Sequence, residues 1–240
     1  MLHARYVLAF DTALNGCSAA LFDVRLNKCT AESQPMQRGQ AEHLVPMIDR
    51  VLDKAGVAYK DIEVIGVTIG PGAFTGLRIG LSAARALGLA LDRPALGITT
   101  FEAIARQYLQ DHSPEPGETL AVLLDTKRAD FYVQFFAPEG YAQKPPASAS
   151  MEDVIALAQE GAMIGIGDGI DRFRAACGDC KNWQFVDGYG HPDPGIIAKI
   201  TASKYGHASK DTVFEAPQPL YLRPPDVSTP KKKLRILVED

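Results

Sequence analysis

The feature that most restricts the fold is a repeat. Residues 6–22, YVLAFDTALNGCSAALF, and residues 120–136, LAVLLDTKRADFYVQFF, have the same layout: an apolar strand ending in Asp-Thr, a turn, and a second apolar strand. Each reads as a β-hairpin with a carboxylate at the end of its first strand. A second echo follows each hairpin. GVTIGPGAF (66–74) and MIGIGDGIDRF (163–173) are both strand-like runs that close on Gly-x-Gly. Two separate features recurring in one order imply a duplicated α/β unit. The intervals differ, so the second copy is the shorter one.

Between the echoes, QAEHLVPMIDRVLDKA (40–55) places Leu44, Met47, Ile48, Val51, Leu52 and Ala55 at helical spacing, and Gly56 closes the run. IEVIGVTI (62–69) is continuous and rich in branched residues, which suits a strand covered on both faces. Thr75 is then the expected cap of a helix running to about Leu91, with Pro94 as the stop. Inside that helix Gly76, Gly80, Ala84 and Gly88 stand four apart and form one stripe of small residues. Each interior glycine costs roughly 1 kcal/mol against alanine, so the stripe asks for a compensating close approach. The approaching group is either the chain's own sheet and helices or another subunit. Leu77, Ile79, Leu81, Leu87 and Leu91 occupy the remaining faces, so the helix is expected to be buried on more than one side.

The turn ahead of the helix leaves two readings open. A helix N-terminus after a glycine turn attracts anions, which makes Asp11, Thr12, Gly70, Gly72 and Thr75 a candidate degenerate nucleotide or anion site. Alternatively the glycines only permit the turn. No Lys-Ser or Lys-Thr follows them, and their spacing fails the dinucleotide fingerprint. Asp11 and Asp125 are suited to holding a metal–phosphate group. Nucleotide-binding hairpins of this kind usually carry glycine after the Asp-x pair, however, and these positions hold Ala13 and Lys127. Side chains there crowd a phosphate.

Of the 240 residues, 46% are hydrophobic and 22% charged, with a net charge of −4, which is the balance of a globular protein. That charge argues against a free-standing nucleic-acid binder. His3, His43, His112, His191 and His207 include no pair at helical ligand spacing, so no metal site is expected, and no His-x-x-x-His supports a metalloprotease. Cys177 and Cys180 form a lone Cys-x-x-Cys, read as structural or incidental. Four scattered cysteines and no leader-like start suggest a cytoplasmic protein. The longest apolar stretch, 77–91, is broken by Arg78, Ser82 and Arg85, so no membrane span is expected. From about residue 206 the chain is proline-rich and is expected to run extended and dock back on the first domain. It carries the basic run Lys231, Lys232, Lys233 and Arg235.

Four segments, FDTALNGCSAALFD, AEHLVPMIDRVL, GVTIGPGAFTGLRIGLSAARALGLAL and GITTFEAIA, resemble in order the N-terminal blocks of the TsaB family. That family is the dimerization subunit of the bacterial machinery making threonylcarbamoyladenosine in tRNA. The resemblance covers about the first 105 residues and is loose beyond them. It implies a duplicated actin-like or sugar-kinase-like (ribonuclease-H-like) α/β fold of two domains: 1–105 with the partner-binding helices, 106–205 as a degenerate copy, and 206–240 as the tail. The transferase paralogue, TsaD, holds its metal with two histidines four apart. The matching positions here are Thr100 and Ile104.

The resemblance therefore implies no catalytic residues, no metal and no cofactor beyond a residual ATP or ADP site. The implied interface to a TsaD-type paralogue is His43, Leu44, Met47, Gly76, Arg78, Gly80, Ala84 and Gly88. The resemblance further implies a TsaE-type ATPase in the full complex and only indirect contact with tRNA, and it is compatible with a homodimer when the chain is alone. The competing reading is an active actin-like nucleotide-dependent kinase or ATPase using Asp11 and Asp125.

Overall fold

The computed structural model describes residues 2–158, 161–178, 180–209 and 211–223. Two five-stranded sheets carry the chain. The first has the order β3-β2-β1-β4-β5, from β1 (Tyr6–Asp11), β2 (Gly16–Asp23), β3 (Lys28–Pro35), β4 (Val64–Gly70) and β5 (Ala95–Thr99). The second has the order β10-β9-β6-β7-β8, from β6 (Thr119–Asp125), β7 (Phe131–Phe136), β8 (Ala147–Ala149), β9 (Met163–Ile166) and β10 (Trp183–Phe185).

The duplication is visible in the registers. β1 runs antiparallel to β2, ending on Asp11 opposite Ser18, and β6 runs antiparallel to β7, ending on Asp125 opposite Phe131. β4 then joins β1 in parallel, as β9 joins β6. This is the expected duplicated actin-like α/β architecture.

Alternation along β1 sets the two faces of the first sheet. Leu8 and Phe10 point to the side covered by α1 (Gln40–Ala55) and α2 (Phe74–Leu91), where Leu44, Met47, Ile48 and Val51 pack. Val7 and Ala9 point to the other side, against Ile196, Ile197 and Ala198 of α6 (Pro194–His207). α3 (Thr100–Asp111) lies between the sheets. Its Phe101, Ile104, Ala105 and Tyr108 pack on Leu120, Val122 and Leu124 of β6. The outer face of the second sheet carries α4 (Met151–Leu157) and α5 (Ile170–Ala176).

Two expectations change here. The boundary at residue 205 placed α6 with the second half, but α6 packs on β1, β2 and β4. The chain therefore returns to the first lobe after building the second, a long-range event that local pattern does not encode. α2 was expected to be buried on more than one side, yet only 28% of it is buried. Cys177 and Cys180 lie side by side, with their Cα atoms 6.1 Å apart. Lys231, Lys232, Lys233 and Arg235 lie outside the described residues.

Candidate functional site

At the end of β1 the chain folds its own turn into the start of α2. The Asp11 carboxylate, 3% exposed, accepts hydrogen bonds from the Ala13 N–H at 3.0 Å and from the Thr68 hydroxyl. Burial pushes this carboxyl up; the bonds from Thr68 and Ala13 and the charge of His191 oppose that push but leave the pKa raised. The Thr12 hydroxyl donates to the Gly76 carbonyl at 2.7 Å, and the Ala73 N–H donates to the Ala13 carbonyl at 2.7 Å. These contacts need bare backbone. A Cβ on Gly72 would lie 2.2 Å from the Ala13 oxygen, and one on Gly76 would lie 2.0 Å from the Thr12 oxygen.

The small-residue stripe is therefore filled from within. Gly80 faces the Thr12 hydroxyl, Ala84 is fully buried, and Gly88 approaches the Arg93 carbonyl. Leu44 and Met47 belong to the core under the first sheet. These six residues of the expected partner surface are packed against the chain's own elements, which corrects that reading. The stripe announced a close approach but did not say whose backbone approached. His43 and Arg78 are exposed and remain on the surface. Thr75 does not cap α2. It stands inside the first turn, and Ala73 occupies the cap position without a side-chain bond. Gly70 has φ +105° and makes the turn.

The second hairpin has a different chemistry. Asp125 accepts from the Lys127 N–H at 2.9 Å and the Lys127 ammonium at 2.8 Å, and the Arg172 Nε lies 3.3 Å away. Burial raises this carboxyl, but the Lys127 bonds and the charges of Arg172 and Lys127 outweigh it and hold it below the ordinary value. Asp168 takes the place that Pro71 has in the first copy and accepts the Asp125 N–H at 2.9 Å; burial keeps its pKa raised. Lys127 sits at φ +58°, the left-handed region where a glycine would rest without cost.

Between the hairpins lies a cleft of about 600 Å³, lined by Leu14, Gly72, Phe74, Arg78, Asp125, Lys127, Tyr132, Asp168, Tyr221 and Arg223. Asp11 is not on its wall; it is buried, as are Ala13 and Leu14 after it. On one side the backbone N–H groups that would meet a phosphate are taken, that of Ala13 by the Asp11 carboxylate and that of Ala73 by the Ala13 carbonyl. On the other it is shadowed by the Lys127 side chain. The geometry brings Gly72 to the cleft with the second hairpin and separates it from Asp11 and Thr12. Thr100 and Ile104, the positions implied for metal ligands, are fully buried and packed within the protein.

From the cleft wall, where Phe74 and Arg78 sit, α2 presents a partly apolar face to solvent. Phe74 is 50% and Leu89 is 87% exposed, and Arg78, Ser82, Ala86 and Ala90 are exposed on the same side. By length and composition alone α2 is able to cross a membrane, but two arginines, Arg78 and Arg85, stand on its exposed surface. Beside it, Ala41 and Val45 of α1 complete a groove with Phe74, Ile79, Ser82 and Ala83. The glycine stripe is the stronger pattern in the sequence and carries no information about this face. The signal was present in Leu89 and Ala86, apolar residues off the stripe and too far round to share its contacts.

Residues 34–163, more than half of the chain, match the family described as TsaD, tRNA N6-adenosine threonylcarbamoyltransferase. The chain is 27% identical to the tRNA threonylcarbamoyladenosine biosynthesis protein TsaB of Buchnera aphidicola subsp. Baizongia pistaciae, over 90% of this chain and 97% of that one. It is 34% identical to the protein of that name in Escherichia coli K12, over 42% of each chain. Among solved structures it is similar to a Pseudomonas aeruginosa protein described as uncharacterized with similarity to peptidase YEAZ. That match has a TM-score of 0.77 and 25% identity, covering 91% of this chain and 99% of that one.

Proposed function

Because the chain belongs to the TsaD family and groups with its TsaB members, we propose that it is a non-catalytic subunit of tRNA threonylcarbamoyladenosine biosynthesis, binding and stabilising a TsaD-type transferase. The observation that carries this reading is the exposed apolar side of α2. Among the described residues, Phe74, Ala86, Leu89 and Ala90 of α2 are exposed beside Val45 of α1, interspersed with Arg78, Ser82 and Arg85, and exposed apolar side chains grouped in this way mark a contact with another protein. The contact surface is Phe74, Arg78, Ser82, Ala86, Leu89 and Ala90 with the neighbouring groove on α1, and it keeps His43 and Arg78 from the sequence reading. The inward stripe supports this face by seating α2 on the first hairpin.

The same reading assigns the chain no reaction of its own and no cofactor. The buried Asp11 and the Lys127 tether support this assignment, because they take up the hairpin positions that a nucleotide phosphate would need. A TsaE-type ATPase joins the assembled complex, tRNA is reached through the partner, the isolated chain pairs with itself through the same helices, and the site of action is the cytoplasm.

The test replaces Ala86 with Glu and, separately, Leu89 with Glu, and follows association with the TsaD-type paralogue by sedimentation velocity. A charge set into an apolar contact weakens association at least tenfold, about 1.4 kcal/mol. The thermal midpoint of the free chain stays unchanged, since both positions are exposed. Undiminished association in both variants contradicts the proposal.

The cleft favours a second reading, a nucleotide-dependent enzyme, through its Asp125, Asp168 and Lys127. Calorimetry with ATP and magnesium separates the two. Tight binding with turnover abolished by Asp125→Asn supports the enzyme, and no heat of binding supports the subunit.

A further inference from the structure

The segment after α6 is tied to both lobes by specific bonds. Pairing between β4 and β5 shifts register between Thr68 and Gly70, which leaves the Ile69 carbonyl outside the ladder. The Leu220 N–H takes that carbonyl at 2.7 Å. Just before it, the Arg85 guanidinium donates to the Pro217 carbonyl at 2.7 and 3.2 Å and to the Gln218 side chain at 2.9 Å. The Tyr221 ring stacks on Phe74 with centroids 5.8 Å apart, and Arg78 reaches the Tyr221 hydroxyl at 3.4 Å. Up to this point every partner is in the first lobe.

At the next residue the partners change lobe. Leu222 packs with the cluster between α3 and β6. The Arg223 guanidinium pairs with Asp130 and donates from Nε to the Ser148 hydroxyl at 3.1 Å. Asp130 is buried and already holds the hydroxyls of Thr126 and Ser148, so its position is fixed within the second hairpin. From the Leu220 anchor to Arg223 there are three residues, at most about 10 Å of extended backbone. A tie that short has no slack.

The chain also crosses between the lobes at residues 112–118 and 186–193, and these crossings are held side by side. Tyr189 bonds Asp111 at 3.1 Å and meets the Tyr108 ring edge-on. Asp111 and Tyr189 are not on the cleft wall, whereas Tyr221 and Arg223 are. Paired crossings away from the cleft make a hinge, and a third link on the cleft wall restricts it.

We infer that residues 217–223 form a latch that holds the two lobes together across the cleft, closed by Arg223 on Asp130 and Ser148 and anchored by Leu220 on Ile69. Release of the Arg223 end frees the second hairpin to move away from α2 and opens the cleft. The latch also covers one flank of the exposed α2 face through Tyr221 and Arg85. This inference is independent of the partner proposed above and stands or falls on the isolated chain.

The experiment is hydrogen exchange on the full chain, comparing wild type with Arg223→Ala and with Asp130→Asn. The diagnostic signal is the Leu220 amide, which belongs to the first lobe although both substitutions act at the second-lobe end. A charge-assisted bond of this kind shifts local opening by about tenfold or more, so Leu220 exchange accelerates by at least that factor in each variant. Amides 126–131 accelerate with it, and the β1–β2 ladder does not change. Arg223→Lys, which keeps the charge, restores most of the protection. If the Leu220 amide exchanges at the wild-type rate in both Arg223→Ala and Asp130→Asn, the latch is overturned. It is overturned equally if the whole chain, ladder included, accelerates uniformly.

Discussion

The two Asp-Thr hairpins began as copies and now do opposite things. In the first, the turn is sewn into α2: Thr12 bonds Gly76, Ala13 bonds Ala73, and Asp11 is enclosed with a hydroxyl and an amide as its partners. In the second, the turn faces the cleft, and Asp125 is held by Lys127 and Arg172. One copy became a joint that fixes a helix, and the other kept an open, charged wall. What separates them is not the Asp-Thr pair but the residues around it. Gly72, Gly76 and Gly80 let α2 descend on the first turn, while Lys127 stands over the second.

The largest break in this comparison comes from a single methyl group. Gly76→Ala puts a Cβ against the Thr12 carbonyl, a backbone atom that has nowhere to go, and costs about 3 kcal/mol. In the second copy Gly169→Ala, at the position matching Gly72, meets backbone atoms no closer than 3.1 Å and costs about 1 kcal/mol. Urea unfolding of both variants measures the difference. Equal losses would mean that the first turn is no more tightly sealed than the second.

A smaller effect sharpens the comparison through pH. Asp11 has a raised pKa in the fold, so its contribution to stability is fully present below the unfolded value and is lost as pH rises through the folded one. Asp125 is lowered, so its contribution is present above the unfolded value and is lost as pH falls through the folded one. Asp11→Asn therefore removes part of the decline in thermal midpoint on the rising side of the carboxylate range. Asp125→Asn removes part of the decline on the falling side. Midpoints recorded from pH 3 to 8 give slopes that change in opposite senses. Changes of the same sign would put the two carboxylates in equivalent settings.

The smallest effect is expected at Lys127. Replacement by glycine relieves a left-handed backbone worth about 1 kcal/mol and gives up an exposed ion pair worth under about 1 kcal/mol. The net change in unfolding free energy falls within about 0.5 kcal/mol. The side chain is then kept for what it does in the cleft, and a loss of about 2 kcal/mol would instead make it a structural fastener like Gly76.

Much of the fold is readable before any coordinates. The hairpin echo gives two sheets with matching strand orders, and the spacing from Leu44 to Ala55 with Gly56 behind it marks α1, which spans Gln40–Ala55 and closes on Gly56 at φ +68°. The reason is that hydrophobic period and glycine stops are local. The direction of the small-residue stripe is not local. Gly76 announces contact with a backbone, but that backbone is Thr12, sixty-four residues earlier. The return of α6 to the first sheet and the reach of Arg223 across the cleft are equally non-local. The exposed side of α2 escaped for a related reason. An apolar helix pattern reads as buried, and only the packed structure shows Leu89 87% exposed among the described residues.

The central claim is that α2 turns its glycines inward to the first hairpin and its Phe74–Leu89 side outward to a TsaD-type partner. Hydroxyl-radical footprinting of the chain alone and mixed with that paralogue tests it in one measurement. The account predicts strong modification of Phe74 and Leu89 in the free chain and marked protection of both in the mixture, with Leu44 and Met47 protected throughout. Unchanged modification of Phe74 and Leu89 in a mixture shown to be associated would contradict it.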